Sequence, residues 1–184
     1  LAYLESFDTL VRRNYWLRKK IGAGVSGKAV NKVARLVINH CLESRIGRIV
    51  FGWNKGQKNG LDIGAKNNQK FVQIPTAKLK ERIKQLGQQY RIEFIETEES
   101  YTSQASFLDD DFLPTFGGKP ESWKPSGKQV KRGLYRIQSG LLINADANGA
   151  ANILRKVATT LGLCLEGVGR GALTTPLRVH FWTT

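Results

Sequence analysis

Residues 141–156 read LLINADANGAANILRK. A short apolar strand or turn gives way there to a helix rich in small residues, and a single carboxylate, Asp146, stands at the changeover. Asn144 and Asn148 flank it, with Ala145, Ala147, Gly149, Ala150 and Ala151 around it. Side chains this small beside a carboxylate leave room for something large to come close. An aspartate at a helix start also has an ordinary occupation, which is to cap the helix by accepting from its first unpaired N–H groups. The stretch by itself supports both readings.

Charge narrows what the visitor would be. The 184 residues carry 29 Lys and Arg against 15 Asp and Glu, a net charge of +14. Such an excess favours a polyanion and makes its binding salt-dependent through counterion release. Solubility alone can call for the same balance, so charge points to nucleic acid without proving it. Cys41 and Cys164 stand apart in apolar segments and read as small buried hydrophobes, with no disulfide or zinc framework. His40 and His180 show no ligand spacing. No apolar run approaches membrane length and no signal peptide is present, so a bacterial-type cytosolic location is expected, nucleoid-associated when DNA is bound. The chain has no Met and opens LAYLESF, which reads as a piece of a longer product. Its length allows one core with a small appendage.

Working outward from the central stretch, residues 1–25 form a basic segment with Arg12, Arg13, Arg18, Lys19 and Lys20, interrupted by Tyr15, Trp16 and Leu17. No acidic residue occurs from Thr9 to Leu42. Val30, Val33, Ala34, Val37, Ile38, Cys41 and Leu42 recur at helical spacing, with Lys28, Lys32 and Arg35 on the other face. RIVFG at 48–52 reads as a strand, and the run WNKGQKNGLDIGAKNNQK after it as a loop. Residues 71–74 are extended, and a second helix is expected from Thr76 to about Gly87 with Leu79, Ile83 and Leu86 on one face. RIEFIE at 91–96 alternates as a strand does. Residues 101–136 read as an irregular insertion holding Pro114, Pro120, Pro125 and the triplet Asp109, Asp110, Asp111. From Lys119 to Arg136 there are six basic residues and one acid, Glu121, with Phe116 and Trp123 close by. That mixture suits base stacking and phosphate contact, and equally a surface insertion tethered by its aromatics. The last helix is expected from Ala147 to about Leu161, turning Ala150, Ile153, Leu154 and Val157 inward. The tail, 166–184, is glycine-rich and then extended. The order helix, strand, helix, strand, insertion, helix implies a mixed α/β domain.

Metal-assisted phosphodiester cleavage needs carboxylates from separate elements to converge on one or two Mg²⁺ ions, which prefer oxygen ligands. Glu96, Glu98 and Glu99 close the second strand in ETEESYTS. If the strands share a sheet, these acids and Asp146 can meet at one edge. The plainer view of the glutamates is solvated charge at a strand end.

ESYTSQASFLDDDFLP, KRGLYR and LINADANGAANILRKV, in that order, resemble the C-terminal half of the OrfB/TnpB family, and so do FVQIPTAKLKERIKQL and the WNKGQK run. The resemblance extends from about Arg18 to about Leu177. Members are insertion-sequence transposase-type proteins that act as RNA-guided DNA endonucleases related to type V CRISPR effectors. The resemblance implies an RNase H-like fold of the RuvC type over 26–165, here partial and lacking its first strands. It also implies Mg²⁺ as cofactor, with DNA and a guide RNA as partners in the full-length protein. The family's last catalytic carboxylate falls on Asp146. The family's Glu at the end of the strand RIVFGWN has no counterpart, since Gly52 and Trp53 stand there. Glu99, with Glu98 as the fallback, is the expected substitute at the end of the next strand. The first carboxylate belongs to an Asp-Leu-Gly strand ahead of Leu1, so no nuclease activity is expected of this chain alone. The zinc ribbon of many members has no cysteines here, and the apolar Phe107, Leu108, Phe112 and Leu113 are expected to hold the insertion instead. Nucleic-acid contacts are expected from Arg12, Arg13, Arg18, Lys19, Lys20, Lys28, Lys32, Lys128, Lys131, Arg132 and Arg136. The alternatives are a non-catalytic basic nucleic-acid-binding remnant, and an unrelated RNA-binding domain in which Asp146 caps a helix.

Overall fold

The computed structural model of the chain describes residues 27–53 and 76–175. Arg12, Arg13, Arg18, Lys19 and Lys20, the glycine- and asparagine-rich run, the extended segment before Thr76 and the end of the tail lie outside the described residues. Helix α1, Gly27–Glu43, forms where apolar residues recur at three- and four-residue intervals. Val30, Val33, Ala34, Val37, Ile38 and Cys41 make its buried stripe. Leu42, expected on that stripe, is 44% exposed, because the residue after Cys41 turns about 100° away around the helix. Burial pushes the Cys41 thiol up to about 11, so it behaves as an inert core residue.

Strand β1, Arg48–Gly52, has Ile49, Val50 and Phe51 all buried. Helix α2, Thr76–Gln89, buries Leu79, Ile83 and Leu86 and packs on α1. The helix runs past Gly87, where the sequence suggests a stop. A side chain there would meet the Ile92 carbonyl oxygen at 3.1 Å, so glycine serves the close return of the chain. Strand β2, Glu93–Thr97, pairs with β1 in a two-stranded sheet. The Glu93 N–H donates to the Gly47 carbonyl at 2.9 Å, and the Trp53 N–H to the Thr97 carbonyl at 2.8 Å. The bonds advance along both strands together, so β1 and β2 are parallel, with α2 in the crossover.

Two compact units divide the chain, and the division falls within β1 and β2. One contains α1, α2 and the starts of the two strands; the other contains the strand ends and the described residues from Glu96 onward. In the second unit, β3 (Lys128–Lys131), β4 (Leu134–Arg136) and β5 (Leu142–Asn144) form an antiparallel sheet in that order. Helix α3, Ala145–Leu161, follows β5 directly, and a short α4 spans Arg170–Thr174. Tyr135, Ile137 and Ile143 pack with Ala145, Ala147, Ala150 and Ala151 of α3 and with Leu173 of α4. Helix α3 ends at Gly162, whose φ of 62° lets the N–H groups of Gly162 and Leu163 turn back to the last carbonyls.

Strands β3 and β4 correct the expectation of an irregular stretch between 101 and 136. KQVK and LYR are too short and too polar to alternate visibly, and β3 is exposed along its whole length. Helix α3 starts at Ala145 rather than Ala147, and Ile153, Leu154 and Val157 are only half-buried. Its buried face is made of Ala145, Ala147, Asn148, Gly149, Ala150, Ala151 and Asn152. The architecture is mixed α/β. Among the described residues no helix is long and apolar enough to cross a membrane.

Candidate carboxylate site and its surroundings

Strand β5 delivers the chain to α3 through Asn144, which has extended backbone angles. Its side-chain oxygen accepts from the N–H groups of Asp146 at 2.9 Å and Ala147 at 3.0 Å. Asn144 is therefore the N-cap. Asp146 is the second residue of the helix and half-buried, a position where the helix dipole favours a negative charge.

From Asp146 the helix continues through a face too small to exclude its neighbour. A side chain at Gly149 would stand 4.0 Å from both the Ser103 Cα and the Thr102 carbonyl oxygen. Asn148 and Asn152, one turn apart and fully buried, bind that same segment. Asn148 donates to the Ala105 carbonyl at 2.8 Å and accepts from the Phe107 N–H at 2.9 Å. Asn152 donates to the carbonyls of Thr102 at 2.9 Å and Ala105 at 2.8 Å. Sequence reading gave neither residue this role. Their signal was present, as two asparagines four apart inside an otherwise small and apolar helix face.

The fastened segment begins at Glu99. The Thr102 hydroxyl and N–H both donate to the Glu99 carbonyl, closing a turn there. The Glu99 side chain lies against the end of β1. A Cβ built on Gly52 would meet the Glu99 Cβ at 3.1 Å and Ile153 Cδ1 of α3 at 2.7 Å. A side chain on residue 52 would therefore crowd Glu99 and displace the end of Ile153. Burial raises the Glu99 carboxyl above the usual carboxylate range. Asp146, Gly149 and Ile153 fall at i, i+3 and i+7, on one stripe of α3. Two residues of the stripe that carries Asp146 thus lie near this region, Gly149 beside Thr102 and Ser103, and Ile153 beside the end of β1.

Glu98 has a different environment. Its carboxylate accepts from the Lys156 ammonium and, at 3.0 Å, from the Phe116 N–H. Burial works against its ionisation, and these partners outweigh burial, holding the carboxyl below its ordinary value. Lys156 also donates to the Pro114 carbonyl at 3.1 Å. Next to it, Arg155 donates to Asp110 at 2.8 Å and to the Asp111 carbonyl. Asp111 accepts from the N–H groups of Ser106 at 2.7 Å and Ser126 at 3.0 Å, and Asp109 accepts from the Gln138 N–H at 2.9 Å. These carboxylates and the α3 cations order the insertion. That corrects the expectation of an apolar clasp: Phe107 and Leu108 do pack against the core, but Phe112 is 65% exposed.

The described members of the basic set are Lys28 and Lys32 on α1, Lys128 and Lys131 on β3, Arg132 in the turn and Arg136 on β4, all exposed. Lys128 and Arg136 sit directly opposite each other across β3 and β4. Like charges so placed repel, and a phosphate group would relieve them. The donor set of Asp146 and Glu99 is oxygen only, which fits a hard divalent cation and no soft metal. Among the described residues no group of three or more His, Cys, Asp or Glu is placed to hold a metal ion. No protein-family model matches the chain, and no curated protein matches it.

Proposed function

We propose that the chain carries the Asp146–Glu99 part of a Mg²⁺-dependent nuclease domain of the OrfB/TnpB type. In this reading the fold is RNase H-like of the RuvC type, and the parent protein is transposon-encoded, binding DNA and a guide RNA. The observation that carries the reading is the packing of Glu99 beside Gly52. The acid missing from the end of β1 is replaced by one whose Cβ lies next to the vacated place. Asn144 supports it from the other side, since the helix start is capped without Asp146. Asp146 and Glu99 would hold the cation, and Glu98 would fasten Phe116 and Lys156. Magnesium takes one or two carboxylates, keeps its waters, and when bound lowers the pKa of a water and stabilises charge on a phosphate. Lys128, Lys131, Arg132 and Arg136 would hold the phosphate backbone without reading bases.

A second reading, a basic nucleic-acid-binding protein without catalysis, is favoured by the lack of a third metal-ligating residue beside the pair among the described residues. Affinity cleavage separates the two. Ferrous iron with ascorbate and peroxide cuts a polypeptide close to wherever the iron is bound. The nuclease reading predicts localised cuts around residues 99 and 146, suppressed by excess Mg²⁺ and lost in Asp146→Ala. The second predicts DNA binding that falls with salt and no localised cuts.

A further inference from the structure

Phe116 is 75% exposed and Phe112 is 65% exposed, the two most exposed of the large hydrophobic side chains described. Neither sits on slack chain. The Phe116 N–H is held by Glu98 at 3.0 Å, and Lys156 holds the Pro114 carbonyl two residues before it at 3.1 Å. The Phe112 carbonyl accepts from the Trp123 indole at 2.9 Å, and Arg155 holds the carbonyl of Asp111. Both rings therefore stand in water on a fastened backbone, where the entropy of ordering a binding loop is largely spent before a partner arrives. Trp123, the aromatic that composition favours as a base stacker, is occupied otherwise. It is half-buried, its N–H is used, Tyr101 lies 5.6 Å from its ring and the Lys119 ammonium 5.6 Å from its ring centre.

Charge identifies the occupant. From Phe112 to Arg136 the exposed cations are Lys119, Lys124, Lys128, Lys131, Arg132 and Arg136, against Glu121 as the one acid. Exposed rings in a stretch with this surplus of cations match a chain that alternates flat apolar faces with negative charge. In a duplex the base faces are stacked and hidden, so the match is to single-stranded nucleic acid. Glu98, which fixes Phe116, directly precedes Glu99. The Phe116 backbone is thereby tied to the residue next to a candidate carboxylate. We propose that Phe116 and Phe112 are base-stacking platforms that seat a single strand at the Asp146–Glu99 site. The placement at that site rests on the nuclease reading; the stacking does not.

The test uses the whole chain in EDTA with a single-stranded oligodeoxynucleotide carrying 2-aminopurine, read by fluorescence and by anisotropy. Stacking on an aromatic contributes ~1–3 kcal/mol per base, so Phe116→Ala is expected to weaken binding by roughly 5- to 150-fold. It should abolish the fluorescence change, Phe112→Ala should do less, and Phe116→Tyr should retain wild-type behaviour. Duplex binding and the salt dependence should stay as in the wild type. Wild-type affinity in Phe116→Ala would overturn the proposal, as would an equal loss for duplex. A drop in self-association of the free protein in that variant would also overturn it, by assigning the rings to a protein contact. Stacking that survives in Asp146→Ala, together with no localised iron cleavage of the EDTA-free wild type, would leave this proposal standing and remove the nuclease reading alone.

Discussion

At the scale of single residues, the asparagines separate structure from chemistry around Asp146. Asn144 caps α3, so Asn144→Ala is expected to cost about 1 kcal/mol of stability, the usual worth of an N-cap. Asp146→Asn gives up the favourable charge at the helix start and should cost ~0.3–1 kcal/mol in a urea titration. Asn152→Ala leaves the buried carbonyls of Thr102 and Ala105 with fewer donors, and ~1–3 kcal/mol should be lost in the same titration. Gly52→Ala should destabilise by ~1–3 kcal/mol through overpacking, and Ile153→Val, which removes the Cδ1 atom 2.7 Å away, should recover part of the loss. Glu99 has a pH signature. Its folded-state pKa lies above the ordinary value, so between the two the folded protein holds more protons than the unfolded one. Its contribution to stability therefore falls as pH rises through that window, and the full penalty stands above it. In EDTA, Glu99→Gln should melt higher than wild type at neutral pH, and the difference should vanish once the pH is below the ordinary carboxylate value.

At the scale of elements, α3 organises the second unit. One helix supplies the dipole end at Asp146, two amides that hold the Glu99 turn, and two cations that hold the insertion. Helices α1 and α2 and strand β1 were legible in the sequence because each has a sustained apolar pattern. Strands β3 and β4 were not, because three- and four-residue strands with one buried side chain, Tyr135, leave no period to read. The Glu99 turn was legible as a motif, but its fastening was not: buried asparagines look like ordinary polar residues until the carbonyls they serve are located. The role of the acidic triplet was hidden for the same reason, since solvated charge and backbone-binding carboxylates have one composition. Asp111→Ala should release the two N–H groups it accepts from. Hydrogen exchange at Ser106 and Ser126 should then rise severalfold, while amides in α1 keep wild-type rates.

At the scale of the whole molecule, net charge was the most readable property and the least specific. A charge of +14 favours polyanions as a class, and on the proposed reading nucleic-acid affinity should fall steeply with salt. What distinguishes a nuclease from a basic remnant is whether Asp146 and Glu99 act as one site. Cation affinity across a double-mutant cycle measures that directly, by calorimetric titration of Mn²⁺ into wild type, Asp146→Asn, Glu99→Gln and the double variant. Two ligands of one ion predict that each single change weakens binding at least about tenfold and that the double change is far less than the sum. Wild-type Mn²⁺ affinity in either single variant would contradict the account.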